Sequence, residues 1–176
     1  MKNHNLVVFS LKLVCGLLLF QAYPAQTVSK TANITVTATL LPTCLASFIV
    51  SGNTSFGTLD FGSTVALTQP ISVVGQTNSG AITVQCSNGS SFNVLLSGGQ
   101  SGNTNNRYLS GGPATQQVRY NLYTDATYSV IWDDVVGVSQ VATGQVVTIP
   151  VYGKVPVQST PAVGTYTDTV QVTVNW

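Results

Sequence analysis

The chain has 176 residues, a length that suits one domain with a processed segment. Charged residues make up 6% of it, against about 25% in an average globular domain. Six basic and five acidic residues give a net charge of +1, which supplies neither a basic patch for nucleic acid nor an acidic tail. Nucleic acid is therefore excluded as a main partner. Glu is absent while Val, Thr and Tyr are abundant, so the composition predicts an all-β fold.

Residues 1–25 have the pattern of a secretory signal peptide. Lys2 and Lys12 precede an apolar run over residues 13–20, and a basic start followed by a short apolar segment is typical of export signals. This run is too short to span a bilayer. We place the cleavage site after Ala25, with Ala22 as the alternative, and predict that the remaining chain is exported.

Cleavage would leave two cysteines, Cys44 and Cys86, and no histidine. An even pair of cysteines in an exported chain indicates a disulfide, with two free thiols as the alternative. In the chain-entropy model a bridge across this loop stabilises the fold by about 4 kcal/mol. The exported chain would carry four basic and five acidic residues, a net charge of −1.

Apolar and polar residues alternate with period two along most of the exported chain, a pattern that predicts short strands. Such runs cover residues 32–40, 118–123, 147–151 and 165–176. Two further runs, 81–86 and 91–97, are joined through Asn88-Gly89, a dipeptide that favours two-residue hairpin turns, so we expect these strands to pair. About seven or eight short strands indicate an immunoglobulin-like β-sandwich, with a closed barrel as the alternative.

The final alternating run has one apolar face. Val170, Val172, Val174 and Trp176 lie on that face, and Asp168 interrupts it near one end. No later strand in the sequence covers this edge. Because an uncovered apolar edge promotes association, we expect it to pair with another chain.

Catalysis is not expected from this set of residues. Without histidine, neither a Ser-His-Asp nor a Cys-His nucleophile can be assembled, and a His-ligated zinc site is excluded. The glycines lack the strand-to-helix setting of a phosphate-binding loop. Asp133 and Asp134 are adjacent and would point to opposite faces of a strand; a Ca²⁺ site there is the alternative to a polar turn. We therefore predict a protein that is not an enzyme and has no metal and no cofactor.

Aromatic side chains provide a second class of function, carbohydrate binding. Trp132, Tyr123, Tyr128 and Tyr108 are the candidates for an exposed platform, and the alternative is that they anchor the core. The competing function is thus a secreted β-sandwich that folds alone and binds carbohydrate or a coat or surface protein.

Four segments together resemble the spore coat protein U domain family, which includes subunits of archaic (Csu-type) chaperone–usher pili. They cover residues 56–62, 82–86, 118–125 and 164–176. The most specific part is the closing pattern Gly164-x-Tyr166-x-Asp168. The similarity extends from about Ala32 to the end of the chain.

The resemblance implies an immunoglobulin-like β-sandwich that is incomplete because it lacks its last strand. It implies a structural subunit of a bacterial surface pilus that supports adhesion and biofilm formation. Its partners would be a periplasmic chaperone, an outer-membrane usher and neighbouring pilus subunits, whose N-terminal segments replace the chaperone's strand by donor-strand exchange. By position, the chaperone-contacting strand would be the one that carries Val170, Val172, Val174 and Trp176.

The N-terminal end of the exported chain fits the donor role by its own pattern. We assign residues 26–36 to an N-terminal donor strand, with Ala32, Ile34 and Val36 as the groove-filling side chains, and residues 37–176 to the pilin domain. Burial of three to five such side chains would contribute on the order of 5 to 10 kcal/mol before ordering costs. The alternative is that residues 32–40 form the first strand of a closed sandwich.

Overall fold

The computed structural model of the chain describes residues 35, 37–46, 48–50, 53–113 and 116–176. Thr39–Trp176 form one compact unit. The predicted signal peptide and the donor side chains Ala32, Ile34 and Val36 lie outside the described residues, so both stay predictions.

The described part of the chain forms short strands and one 3-10 turn. The strands in chain order are β1 (Cys44–Ala46), β2 (Phe48–Val50), β3 (Asn53–Ser55), β4 (Ile71–Val74), β5 (Ile82–Cys86), β6 (Ser91–Leu96), β7 (Tyr108–Gly111), β8 (Gln116–Arg119), β9 (Asn121–Tyr123), β10 (Val138–Val141), β11 (Val147–Ile149), β12 (Tyr152–Val155), β13 (Tyr166–Thr167) and β14 (Val172–Asn175). The 3-10 turn, Gly99–Ser101, follows β6. This confirms the prediction of an all-β chain. Within these ranges, no helix has the length and the apolar character needed to cross a bilayer.

The strands pair antiparallel in small sheets, and four of these sheets contribute side chains to one core. The sheet orders are β1-β5-β11, β10-β6-β14, β4-β12-β9, β13-β7-β8 and β2-β3. Alternating side chains of β5 and β6 point into the core, which also takes Leu122, Trp132 and Val155. The predicted immunoglobulin-like sandwich is thus seen as strands of separate sheets packed around a common apolar interior.

The predicted hairpin through Asn88-Gly89 is wrong. β5 pairs with β1 and β11, whereas β6 pairs with β10 and β14, so the two strands belong to different sheets. Gly89 has a φ of 79°, and Asn88 is not among the residues with positive φ. A type I′ hairpin turn needs positive φ at both positions. The turn over residues 87–90 instead carries the chain from one sheet to the other.

Two of the predicted alternating runs do not form continuous strands in their described residues. Residues 37–43 are described but lie in no strand, so β1 begins at Cys44. The final run splits into β13, which pairs with β7, and β14, which pairs with β6. The break at residues 168–171 occurs where the Asp168 side chain is used for hydrogen bonds rather than for the apolar face.

Candidate docking groove

An open groove of about 790 Å³ runs along the core of this unit. Its floor is made of core side chains from several sheets. They are Ile82, Leu96, Tyr120, Leu122 and Val151. The groove therefore lies where a further strand would cover the hydrophobic core.

One wall of the groove is the C-terminal strand region, residues 168–176. Val170, Val172 and Val174 are half-buried and face the groove, while Trp176 is 62% exposed at one end. The structure thus brings together all four residues predicted for the C-terminal strand. Val172 and Val174 belong to β14, and the other two flank it. Their contact with a chaperone stays a prediction.

The opposite wall is formed by Ala46 of β1, by residues 55–59 and by Phe61. Phe56, Leu59 and Phe61 are half-buried and pack against the core. The wall ends in a turn in which Gly62 has a φ of 76° and its N–H donates to Asp60 Oδ1 over 2.8 Å. The sequence does not mark these residues as part of the site, because their apolar positions do not alternate as those of a strand do. The only signal was that residues 56–62 are part of the family resemblance.

Both walls contain a strand with an unpaired edge. Among the described strands, β1 is hydrogen-bonded only to β5, and β14 only to β6. An unpaired edge presents free N–H and C=O groups that another strand can bond. The groove therefore offers backbone hydrogen bonds at its walls and apolar contact at its floor.

A disulfide between Cys44 and Cys86 fixes the β1 wall to the floor strand β5. The two residues are directly opposite each other in the antiparallel register, with their Cα atoms 4.0 Å apart. The predicted disulfide is confirmed. Because β1 has only three residues, a covalent link is an effective way to keep this short wall in place.

One end of the groove is closed by a polar cluster around Asp168. Its Oδ2 accepts from the Tyr120 hydroxyl over 2.7 Å, and its Oδ1 accepts from the backbone N–H groups of Gln100 and Thr169 over 2.8 and 2.7 Å. Burial, and then the bond to Asp168, raise the pKa of Tyr120 far above its ordinary value. The Phe61 ring packs edge-on against Tyr120 with centroids 5.8 Å apart. Asp168 interrupts the apolar row in the sequence, but in the structure its hydrogen bonds hold this end of the groove together.

Behind the floor lies a fully buried arginine, Arg107, that our sequence analysis did not single out. Its guanidinium donates to the backbone oxygens of Leu96, Ser97 and Trp132 at 2.8 to 3.1 Å. It also donates to Asn121 Oδ1 over 2.8 Å. Burial lowers the pKa of Arg107. One charged group therefore holds together the end of β6, the turn after it and the segment around Trp132, and no pattern in the sequence distinguished it from a surface arginine.

The residues considered for carbohydrate binding do not form one exposed platform. Trp132 is 0% exposed, and its Nε1 donates to the Val94 carbonyl oxygen over 2.9 Å. Tyr123 and Tyr128 do pack together, edge to face, with a third ring from Tyr152. The tryptophan is therefore a core anchor, which was the alternative reading.

The adjacent carboxylates Asp133 and Asp134 belong to a polar turn. Asp133 Oδ1 accepts the backbone N–H groups of residues 135, 136 and 137 over 2.7 to 3.1 Å. These hydrogen bonds lower the pKa of Asp133, and the bond from the Gly137 N–H has the largest effect. Among the described residues, no group of three or more His, Cys, Asp or Glu side chains is placed to hold a metal ion.

Comparison with known proteins gives one family. The model of the Spore Coat Protein U domain matches residues 30–173. Protein U of Myxococcus xanthus is 30% identical over 162 residues, which cover 87% of this chain and 88% of that protein. A solved structure of the CsuC–CsuE chaperone–tip adhesion subunit pre-assembly complex, from archaic chaperone–usher Csu pili of Acinetobacter baumannii, contains a similar chain with a TM-score of 0.48 and 23% identity. That match covers 78% of this chain but only 40% of the solved chain.

Proposed function

Because the chain belongs to the Spore Coat Protein U domain family, we propose that it is a structural subunit of a surface pilus that polymerises by donor-strand exchange. The observation that carries the proposal is the open groove between the unpaired edges of β1 and β14. A protein that completed its own sandwich would have a strand at this place. The occupant that we propose is the segment 26–36 of a neighbouring copy.

The chemistry of the groove suits that segment. Residues 32, 34 and 36 are Ala, Ile and Val, separated by Asn and Thr, so an extended segment would present one apolar face and one polar face. The apolar face would cover Leu96 and Leu122 on the floor, and its backbone would bond the free edges. Apolar burial of this size is worth on the order of 5 kcal/mol or more before ordering costs, enough for a durable contact.

Before assembly, the same groove would need a temporary occupant. We propose that a periplasmic chaperone places one of its strands along Val170, Val172, Val174 and Trp176, and that an outer-membrane usher exchanges it for the donor segment. Without such cover, a subunit with 6% charged residues and two free edges would associate with other copies before it reached the usher. The finished fibre would lie at the cell surface, support adhesion and biofilm formation, and need no catalytic group.

A pair of adjacent substitutions in the donor segment tests the proposal. The exported chain, residues 26–176, is expected to form linear polymers, seen by light scattering after size exclusion and by electron microscopy. Ile34→Asp should leave monomers, because it places a charge against the apolar floor. Asn33→Asp is the matched control: it adds the same charge on the opposite face and should leave polymers intact. Polymerisation of the Ile34→Asp chain at the level of the unmodified chain would show that the proposal is wrong.

A second pair of substitutions tests the acceptor side. Val172→Asp places a charge on the groove wall, whereas Thr173→Asp places it on the exposed face of the same strand. Only the first should prevent incorporation into polymers and recovery with the chaperone after co-expression. If both variants assemble alike, the wall at β14 is not where the neighbour binds.

A further inference from the structure

We infer that Lys30 sets the register of the donor segment, which lies antiparallel to β14 with Lys30 at the Trp176 end of the groove. This inference rests on the proposed function. Residues 28, 30, 32, 34, 36 and 38 share one face of an extended segment, and among them Lys30 carries the only charge. The groove wall carries side chains at the same two-residue spacing, namely those of Asp168, Val170, Val172, Val174 and Trp176. Of this stretch β14 (Val172–Asn175) is strand, and Thr169 and Gln171 also line the groove. The position of the Lys30 charge therefore decides how the donor row aligns with the row of side chains on the groove wall.

The direction of the donor follows from the sheets that are already present. Every pair of strands in the described part of the chain is antiparallel, including β14 with β6 and β1 with β5. Antiparallel ladders are also slightly more stable per residue than parallel ones. A donor that extends this arrangement runs opposite to β14, so its N-terminal residues reach the Trp176 end.

A parallel donor would bring Lys30 to Asp168 instead, whose carboxylate is the one acidic side chain among the described residues that line the groove. That carboxylate is already bonded to Tyr120, Gln100 and Thr169, with bonds on both of its oxygens. It lies in a closed corner against Tyr120. Asp168 therefore does not require a cation from outside, and charge pairing gives no reason to reverse the donor.

The cost of burying an unpaired ammonium group excludes a register that is shifted further into the groove. Such a shift would place Lys30 at Val174, beside apolar side chains and with no acidic side chain among the described wall residues next to it. At Trp176, which is 62% exposed, the ammonium group reaches water and can lie over the indole ring. The opposite shift would draw Leu40 into the groove. Leu40 belongs to the body of its own subunit, where it lines a hollow with residues 87–91.

The resulting register pairs donor and acceptor residues whose numbers add to 206. Lys30 lies at Trp176, Ala32 at Val174, Ile34 at Val172, Val36 at Val170 and Ala38 at Asp168. The largest apolar donor side chain of the row, Ile34, then lies at the centre, over the Leu96 and Leu122 floor. The small Ala38 meets the corner that Tyr120 and Phe61 already fill.

Engineered disulfides on the polar face distinguish this register from its competitors. The full exported chain is made with Thr31→Cys and Asn175→Cys, which are opposite each other in the proposed register. Thr31→Cys with Thr169→Cys reports a parallel donor, and Asn33→Cys with Asn175→Cys reports an antiparallel donor shifted by two residues. After mild oxidation, non-reducing gels should show a covalent ladder for the first pair, at least about tenfold stronger than for either other pair, a ratio that a modest difference in register stability would produce.

Substitution of Lys30 then tests whether the charge is what selects the register. Lys30→Val should allow the donor to slip inward, so that Thr31→Cys also cross-links to Thr173→Cys, with a gain of about tenfold over the unmodified background. Lys30→Arg keeps the charge and should keep the single register. If Lys30→Val gives the same single cross-link as the unmodified chain, the inference is wrong.

The outcomes separate this inference from the function on which it rests. Polymers that cross-link through one of the competing pairs, or through none of the three, would overturn the register while leaving donor-strand exchange in place. Chains that stay monomeric and do not cross-link would overturn the proposed function and the register together.

Discussion

The two ends of the groove differ in how many contacts within the subunit close them. The end at Asp168 is closed by hydrogen bonds to Tyr120 and Gln100 and is supported from behind by the buried Arg107. The end at Trp176 is open, and exposed Leu40 and Leu41 lie beside it. A polar network defines the first end before any partner arrives, whereas the second end leaves apolar surface for a partner to cover. The Asp168 end is thus fixed by contacts within the subunit, whereas the Trp176 end is left for a partner to cover.

The closed end also depends on a glycine. Gly99, in the turn that donates to Asp168, has a φ of 62°. A Cβ built there would lie 2.1 Å from Asp168 Oδ2, which is too close for any side chain. The turn and the carboxylate therefore fit only with glycine at this position.

The largest expected effect is at the closed end, on Arg107. Arg107→Met should lower the free energy of unfolding by about 3 to 5 kcal/mol, because it leaves the buried carbonyl groups of Leu96, Ser97 and Trp132 without donors. The measurement is urea unfolding of chains that also carry Ile34→Asp, which keeps them monomeric. Arg119→Met is the matched control, since Arg119 is exposed, and should change the unfolding free energy by less than about 0.5 kcal/mol. Equal effects at the two positions would show that the buried network does not stabilise this end.

The next effect concerns Tyr120 and its pH dependence. Tyr120→Phe should cost about 1.5 to 3 kcal/mol, the usual worth of a hydrogen bond to a charged group. The pKa of Tyr120 is raised in the folded state, so the unfolded chain loses this proton first. The stabilisation is complete below pH 10 and falls by about 1.4 kcal/mol for each pH unit above that.

A control variant without a titratable group isolates this effect. Unfolding free energies measured at pH 8 and pH 11 should differ less in Tyr120→Phe than in the unmodified protein. Val163→Ala, at a fully exposed valine that does not line the groove, removes no titratable group and should leave the pH dependence unchanged. If Tyr120→Phe loses as much unfolding free energy between pH 8 and pH 11 as the unmodified protein does, Tyr120 is not the source of the pH dependence.

The smallest expected effect on the single subunit is at the open end. Trp176→Ala should change the unfolding free energy of the monomer by less than about 1 kcal/mol, because the side chain is mostly exposed there. The same substitution should weaken polymers, measured as faster dissociation on dilution, since a neighbour would cover the ring. Val163→Ala is the control, at a fully exposed valine that does not line the groove. Polymers that lose stability equally with both substitutions would remove the distinction between the two ends.

The sequence was informative where periodicity and chemistry act locally. Alternation identified the apolar row of Val170, Val172 and Val174, and an even number of cysteines in an exported chain identified the bridge between Cys44 and Cys86. Prediction from the sequence failed where a strand has more than one possible pairing partner. Asn88-Gly89 favours a turn, but the turn does not decide which strands pair with β5 and β6, and their partners come from distant parts of the chain.

By itself, then, the sequence determined the all-β class, the apolar face of the C-terminal strand and the disulfide, because each depends on residue type and short spacing. Only the tertiary structure decided that the core is left open between β1 and β14 and that Phe56, Leu59 and Phe61 form the second wall. It also decided that Arg107 is a buried anchor and Asp168 a half-buried one. Those features depend on which distant segments meet. A charged residue in an alternating run looks the same in sequence whether it faces water or, as with Asp168, bonds a tyrosine hydroxyl of the fold.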